Sequence, residues 1–423
     1  MRAPWPSHGL WRHADFLRLW AAQVGSAFGS RITRTVLPII AILTIGASPT
    51  EVAVLSVMSV APGVLVGLFV GGTVDRRTKR PLLIGADLLR AALIFSVPLA
   101  AWWGALSMWQ LCIVAALVGA ATTLFQIADS SYLPALVGPD HVLEGNAKLE
   151  ATDAVAEAGG PALAGVLVQV LSAPMALAFD GISYLFSAAM LARIRTRETP
   201  SAVSEEQPRV RADIAAGFRV CMSHPLVRAM LLAEGVMAFF GGFFMALYMV
   251  LTLQTLALPP ATVGLVIGVG GIGGFVGALL VAPLGRWMRT TSAMLLCLAL
   301  GEAASLLVPL SLQAGAMAVP ALMVHQFVGD ALLTVFLIHA VSLRQQTLPP
   351  ELLGRANASF HVVTGTLLPA GALVAGLMAT AVGLSATMWV SALGGLLAVP
   401  VLWLAMRSTH ARARRNASSK PGG

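Results

Sequence analysis

The sequence predicts an α-helical membrane protein with twelve spanning helices, arranged as two parallel repeats of six. Apolar segments of spanning length fill the chain almost from end to end, positive charge falls only in alternate linkers, and a glycine pattern recurs after about half of the chain. The composition agrees, because 57% of the residues are hydrophobic and only 11% are charged. Soluble domains have about 25% charged residues.

A helix that crosses a bilayer needs about 20 consecutive, mostly apolar residues. Twelve segments satisfy this requirement, and they leave little of the chain for a soluble domain. The predicted spans are 17–45, 52–73, 81–103, 107–131, 149–171, 174–193, 226–254, 260–284, 291–311, 317–343, 357–382 and 385–406.

The linkers between the spans differ in charge in a way that predicts orientation. Lys and Arg are absent from every second linker, whereas each of the remaining linkers contains Lys or Arg and both termini are basic. By the positive-inside rule the basic segments are cytoplasmic, so both termini are expected in the cytoplasm. The net charge of +8 then reflects loops that face anionic lipid, and no nucleic-acid partner is expected. The linkers without Lys or Arg are 46–51, 104–106, 172–173, 255–259, 312–316 and 383–384.

A weak internal repeat divides the chain near its middle. Gly63–Gly67 resembles Gly273–Gly277 at a shift of 210 residues, and Gly160–Gly165 resembles Gly371–Gly376 at a shift of 211. Two six-helix halves with the same orientation are typical of the major facilitator architecture. The expected domains are an N-terminal bundle over 1–193, a cytoplasmic connector over 194–225, a C-terminal bundle over 226–406 and a basic cytoplasmic tail over 407–423. The second part of the connector, 210–222, has the pattern of a short helix on the membrane surface.

The loop after span 2 carries the most specific motif of the chain. It reads Gly-Gly-Thr-Val-Asp-Arg-Arg-Thr-Lys-Arg over residues 71–80 and resembles the major facilitator signature, although Thr78 replaces the usual glycine. The resemblance implies a conformational latch between the halves, in which the aspartate caps a neighbouring helix whose N-terminus is positive. Lys79 would then face Asp129 at the end of span 4. The alternative is basic charge that only sets orientation. The latch residues are Gly71, Asp75, Arg76, Lys79, Arg80 and Asp129.

Three further segments resemble one particular subfamily of major facilitator transporters. Phe125–Pro134, Asp87–Arg90 and Ser342–Gln346 resemble the drug:proton antiporters that export macrolides and enterobactin. The resemblance implies a monomeric bacterial inner-membrane transporter that expels a small amphipathic drug, macrolide or siderophore-like compound in exchange for protons. An importer or facilitator of a small metabolite is the alternative, and a membrane sensor or scaffold without transport is a distant one. No enzymatic activity, cofactor or metal is expected, since no catalytic motif is found and the three cysteines are scattered.

Charged side chains inside spans are costly and are usually functional. Arg31 and Arg34 share one face of span 1, and Asp153 and Glu157 share one face of span 5. Structural pairing between these helices is the equal alternative to a role in transport. In the resembled fold, spans 1, 4, 7 and 10 line the substrate cavity. The cavity candidates are Arg31, Arg34, Glu234 and His325, and the proton-coupling candidates are Asp153, Glu157 and Asp330.

Span 5 also contains small residues around a proline. Gly159, Gly160, Pro161 and Gly165 resemble the antiporter signature of the family, in which close helix packing and a kink seal one side. Ordinary packing of small residues is the alternative. Among the proton-coupling candidates Glu157 is preferred, because it lies next to this kink.

Overall fold

The computed structural model describes residues 9–74, 77–196, 210–404 and 406, and within these ranges the secondary structure is entirely helical. Twelve of the helices are long and apolar enough to cross a membrane, which confirms the predicted number of spans. The helices are α1 Ala14–Ile39, α2 Pro49–Val74, α3 Lys79–Trp102, α4 Met108–Val137, α5 Val142–Leu171, α6 Ala173–Ala192, α7 Val210–Ser223, α8 Pro225–Val250, α9 Pro260–Trp287, α10 Thr290–Ala304, α11 Leu307–Ser311, α12 Ala318–Thr347, α13 Pro350–Val382 and α14 Leu384–Gly395.

The helices match the predicted spans in order. Helices α1 to α6 form the first six spans, α7 lies in the connector, α8 and α9 form the next two, α10 and α11 share the ninth, and α12 to α14 complete the set. The predicted start of span 5 at residue 149 is too late, because α5 begins at Val142. Its first turns are polar and are supported by the Glu144–Lys148 ion pair at i,i+4 spacing. Such a pair favours helix where hydropathy gives no signal.

The described residues group into two compact units whose limits differ from the two halves of the sequence. The first unit takes the described residues of Met1–Ala47, Met58–Pro208 and Leu258–Gly268. The second takes those of Ser48–Val57, Arg209–Ala257 and Val269–Gly423. The first turns of α2 therefore belong to the second unit, and the first turns of α9 belong to the first.

Polar contacts fix the ends of α1 and α6 in the first unit. Asp15 at the start of α1 accepts hydrogen bonds from the backbone N–H groups of Arg195 and Thr196 and from the Thr196 hydroxyl at 2.6 Å. His13 caps α1, because its Nδ1 atom accepts the backbone N–H of Phe16 at 2.9 Å. Burial of His13 lowers the pKa of its imidazole, so the neutral ring that can accept this hydrogen bond is favoured.

Small residues let α5 and the start of α9 approach closely within the first unit. A Cβ atom built on Gly264 would lie 2.2 Å from the Pro161 carbonyl oxygen, and one on Gly268 would lie 2.5 Å from that of Ala158. A Cβ on Gly165 would lie 2.4 Å from the carbonyl oxygen of Pro260. Only glycine permits backbone contact at these three positions, as in other membrane helix pairs with small residues at the interface.

The connector helix α7 is part of the second unit. The helix predicted over 210–222 is present, and it packs on α13, where a Cβ on Gly217 would lie 2.1 Å from the carbonyl oxygen of Arg355. Cys221 on the same helix is fully buried, with its Sγ atom 3.9 Å from the carbonyl oxygen of Ala356. This burial raises the pKa of the Cys221 thiol. Helix α7 thus carries part of the apolar core built by α8, α10, α12 and α13.

Candidate functional site

A polar cavity of about 240 Å³ lies within the first unit, among helices α1, α3, α4 and α5. Its wall is unusual for a bundle of spanning helices, because it contains cations, acids, amides and hydroxyl groups. Polar groups at this depth are costly unless they bind a ligand, ions or each other. The charged lining residues are Arg31, Arg90, Asp129, Glu150 and Asp153.

Arg31 joins two acids of α5 across the cavity wall. Its Nη2 atom lies 2.8 Å from Asp153 Oδ2, and its Nε atom lies 2.9 Å from Glu157 Oε2. Glu157 also pairs with Arg34 through its other carboxylate oxygen. The structure therefore brings together four candidate residues, of which the helical spacing predicts one pair on a face of span 1 and one pair on a face of span 5.

This four-residue network is only partly buried. The side chains of Asp153 and Glu157 are 51% and 43% exposed, and that of Arg34 is 61% exposed. Partly exposed ion pairs contribute about 0–1 kcal/mol each, whereas binding at micromolar affinity supplies about 8 kcal/mol. Ligand binding therefore supplies enough free energy to break such pairs. The network is better suited to rearrangement than to stabilising the fold.

Gly160 on α5 gives Arg31 its position. A Cβ atom built on Gly160 would lie 2.4 Å from the Cβ of Arg31, so the arginine stem occupies the space that a side chain would fill. Pro161 follows within the helix, and Gly165 one turn later contacts the backbone at Pro260. The three residues predicted at the kink thus pack α5 against α1 on one side and against the start of α9 on another.

Asp129 lines the same cavity from α4. Its side chain lies next to Gln23 of α1, and its Oδ1 atom has no hydrogen-bonding partner among the described residues. Lys79, its predicted partner, donates a hydrogen bond to the carbonyl oxygen of Arg77 at 2.9 Å. The pairing of Lys79 with Asp129 stays a prediction.

Only some of the other predicted latch residues lie within the part of the chain that the structure describes. Gly71 lies in the last turns of α2, and Asp75 and Arg76 lie outside the described residues. Arg80 donates from Nε to the carbonyl oxygen of Leu191 at 2.9 Å. This contact ties the start of α3 to the end of α6 within the first unit, which sequence reasoning did not predict.

In the second unit, His325 and Asp330 lie on α12. His325 is buried, its Nδ1 atom is 3.1 Å from the carbonyl oxygen of Ala304, and its ring packs 5.3 Å from that of Phe244. Asp330 lies against Gly270 of α9 and interacts electrostatically with Tyr248 of α8. These two candidates thus face helices α8 to α10 of their own unit.

Glu234 lies on α8, where its Oε1 atom is 4.0 Å from Arg344 Nη1 on α12. The guanidinium of Arg344 also lies 4.0 Å from the ring centre of Phe360. A charge pair at this distance is weaker than a hydrogen-bonded one. Glu234 is therefore held near a cation without being fixed to it.

The sequence reasoning missed a second charged group in the first unit. Asp87 and Arg90 of α3 form an ion pair whose side chains are 0% and 1% exposed. Asp180 of α6 is fully buried beside them and accepts hydrogen bonds from Thr33 and Ser183. From the sequence, Asp87 and Arg90 are expected only as part of a motif, and no role is predicted for Asp180. The available signal was a single acid inside an apolar span of 20 residues.

Comparisons with known proteins agree with this architecture. The chain matches the family described as transmembrane secretion effector over residues 7–421. It is 26% identical over 339 residues to an MFS-type transporter of Sinorhizobium fredii, covering 79% of this chain and 81% of the relative. It is 22% identical over 377 residues to macrolide efflux protein A of Streptococcus pyogenes, covering 88% and 90%.

Solved structures show the same fold. A bacterial homologue of the iron transporter ferroportin, in an inward-facing state, superposes with a TM-score of 0.73 at 17% identity over 94% of this chain and 99% of that one. The nucleoside transporter NupG superposes with a TM-score of 0.72 at 12% identity over 93% and 98%.

Proposed function

The chain belongs to the transmembrane secretion effector family of major facilitator transporters, and from this premise we propose that it exports a small amphipathic compound in exchange for protons. The observation that carries the proposal is the charged cavity within the spanning helices of the first unit. Similarity to macrolide efflux protein A favours export and a compound of the macrolide type. The alternative is import or facilitated passage of a small metabolite.

The proposed substrate site is the cavity wall that carries Arg31 and Asp129. Phe125 in the same wall offers an apolar ring, while Gln23 and Ser26 offer hydrogen-bonding groups. A wall that combines one aromatic face with cations, acids and hydroxyl groups fits a compound that has both an apolar body and polar substituents.

The proposed coupling uses the ion pairs that Arg31 and Arg34 form with Glu157. An opposite charge keeps a carboxylate ionised, and loss of that charge in an apolar site favours the protonated form. When substrate or a helix movement takes both Arg31 and Arg34 away from Glu157, the acid is free to accept a proton. Return of the arginines would release the proton. Asp153 and Asp330 are the other carboxyls proposed for this role.

The proposed orientation places both termini in the cytoplasm of a bacterial cell, with the protein in the inner membrane. It rests on the absence of Lys and Arg from alternate linkers. A cysteine introduced at Ala105 or Gln313 is expected to react with an impermeant thiol reagent added to intact cells. A cysteine at Met288 is expected to react only after the membrane is opened. The opposite pattern would reverse the orientation.

Transport by purified protein in liposomes tests the function. A labelled macrolide and a panel of small amphipathic compounds would be followed with a pH gradient of either sign and with none. The proposal expects movement of at least one compound against its gradient, driven by protons moving the other way. Movement that only equalises concentrations would favour the facilitator, and movement in the same direction as protons would favour the importer. No catalytic step is part of the proposal.

A further inference from the structure

Two charged groups lie next to the cavity, and they differ in their balance of charge. The partly exposed network of Arg31, Arg34, Asp153 and Glu157 contains two cations and two acids. The buried group contains one cation, Arg90, and two acids, Asp87 and Asp180, and Asp87 also acts on Asp129 of the cavity wall. If every side chain were ionised, the first group would be neutral and the second would carry at least one uncompensated negative charge.

Arg90 is committed to Asp87. Its Nη2 atom pairs with Asp87 Oδ1, and its guanidinium lies between the rings of Phe125 and Tyr184, 4.4 and 4.3 Å from their centres. An arginine stays charged at any pH that a protein meets, and stacking between two rings holds its plane in place. Asp87 therefore has a fixed countercharge.

Asp180 has neutral partners. The Thr33 hydroxyl of α1 donates to Oδ2, and the Ser183 hydroxyl lies 3.1 Å from Oδ1. Arg90 and Asp87 are the charged groups that act on it from α3, and within the described part of the chain no cation forms an ion pair with its carboxyl. Gly29 of α1 leaves room for this carboxyl, since a Cβ there would lie 2.0 Å from Oδ1.

An unpaired carboxylate in an apolar interior is so costly that the group takes up a proton instead. We propose that Asp180 binds a proton in the centre of the first unit, while Asp87 and Arg90 remain a fixed ion pair. This inference rests on the proposed proton-coupled export. In that cycle Asp180 is a second proton-binding residue, which lies behind the cavity wall and is separate from Glu157.

Short contacts connect Asp180 to the cavity. Ser30 lines the cavity and lies 3.3 Å from the Tyr184 hydroxyl oxygen, and Arg90 lines the same wall. Thr33, which donates to Asp180, is one helical turn from Ser30 on α1. A ligand that displaces Ser30 would therefore change the surroundings of Asp180 without touching it.

Infrared spectroscopy of the full-length protein in lipid vesicles at neutral pH tests the proton site without any substrate, since protonated carboxyls and carboxylates absorb at separate frequencies. Asp180→Asn is expected to remove the signal of one protonated carboxyl. Asp87→Asn is expected to remove the same signal, because the charge of Arg90 then balances an ionised Asp180 and the group is neutral without a proton. The exposed Asp140→Asn variant is the control and is expected to leave the signal unchanged.

Persistence of the signal in Asp180→Asn overturns the inference, because the proton is then elsewhere. Persistence in Asp87→Asn overturns it as well, because the charge balance would not govern the proton. The Asp87 variant gives this answer even if the Asp180 variant fails to fold.

A transport measurement in liposomes tests the proposed function separately from proton binding by Asp180. Proton entry into liposomes would be followed with a trapped pH-sensitive dye, with a macrolide as the probe compound. If the wild-type protein moves no protons, the proposed function fails, while the infrared signal still decides whether Asp180 binds a proton. If the wild-type protein moves protons and Asp180→Asn moves them equally well, the role of Asp180 in the cycle is overturned.

Discussion

Arg31 and Gly160 are in direct contact, so the position of a charged side chain on α1 depends on the absence of a side chain on α5. The stem of Arg31 passes where a Cβ of residue 160 would stand, and its guanidinium reaches Asp153 and Glu157 on the same helix α5. The glycine predicted as part of a helix kink therefore also sets the geometry of the ion pairs.

Gly160→Ala is expected to lower the transport rate at least about tenfold, since a misplacement of about 1 Å can reduce the rate of a process that depends on geometry by about 100-fold. The added methyl group would stand 2.4 Å from the Arg31 Cβ, so the helices must separate or the arginine must turn away. Gly159→Ala is the matched control, because its Cβ would meet the Phe28 ring at an ordinary 3.4 Å. Equal rates for the two variants would mean that this contact does not govern transport.

Glu157→Gln is expected to abolish accumulation of substrate against its gradient while exchange of labelled for unlabelled substrate continues. Glutamine keeps the size of the side chain, but its single amide oxygen can accept from only one of the two arginines, Arg31 and Arg34, and it cannot exchange a proton. Both modes would be measured in the same liposomes. Continued accumulation under a pH gradient would make Glu157 a structural ion-pair residue and Asp330 the next candidate.

Asp75→Asn is expected to reduce transport more than tenfold while folded protein remains in the membrane. A charge at a helix end contributes up to about 2 kcal/mol, and about 1.4 kcal/mol changes an equilibrium tenfold. That is enough to shift a conformational balance but seldom enough to unfold the chain. Gel filtration and the liposome rate would be measured together. A normal rate would leave the loop with no role beyond setting orientation.

The cap that His13 provides for α1 is expected to weaken in acid. Folding holds the pKa of His13 below its usual 6.5, so His13 binds protons more readily when the start of α1 is unfolded. The stability that the cap contributes is therefore present above about pH 6.5, and it is lost as the pH falls toward the pKa of the folded state. The loss is about 1 kcal/mol. Hydrogen exchange of the Phe16 amide would report it, relative to His13→Asn, which caps without titrating. The same pH dependence in both variants would exclude His13 as its source.

Cys221 is expected to resist alkylation in the folded protein, because burial both shields its thiol and raises its pKa. Gly217→Val is expected to make Cys221 reactive, since a side chain at this position would push α7 away from the Arg355 carbonyl oxygen. Labelling with a maleimide in a background of Cys112→Ala and Cys297→Ala would measure this. Fast labelling without the Gly217 substitution would show that α7 leaves α13 readily.

Features that depend on local sequence were predictable. The number of spans follows from apolar length, and the facing positions of Arg31 and Glu157 follow from helical spacing and opposite charge. Asp180 is marked in the sequence only as a single acid inside an apolar span, and its contact with the hydroxyl of Thr33, 147 residues earlier in the chain, is what the sequence cannot predict. The extended start of α5 was missed because Glu144 and Lys148 support a helix without raising its hydropathy. The contact between Thr33 and Asp180 exists only once helices have packed, whereas the Glu144–Lys148 pair is local and could have been read from its i,i+4 spacing.

The limits of the two compact units have a consequence for how the chain can be divided. A fragment that ends in the connector carries α5 but lacks Leu258–Gly268, whose Gly264 and Gly268 lie against the backbone of α5 in the same unit. The complementary fragment lacks Ser48–Val57, where the Thr50 hydroxyl donates to the carbonyl oxygen of Gly376 at 3.0 Å. Each fragment would therefore lack a segment of its own compact unit, and that segment would be part of the other fragment. Reassembly from two separately made fragments would require each to supply this segment to the other.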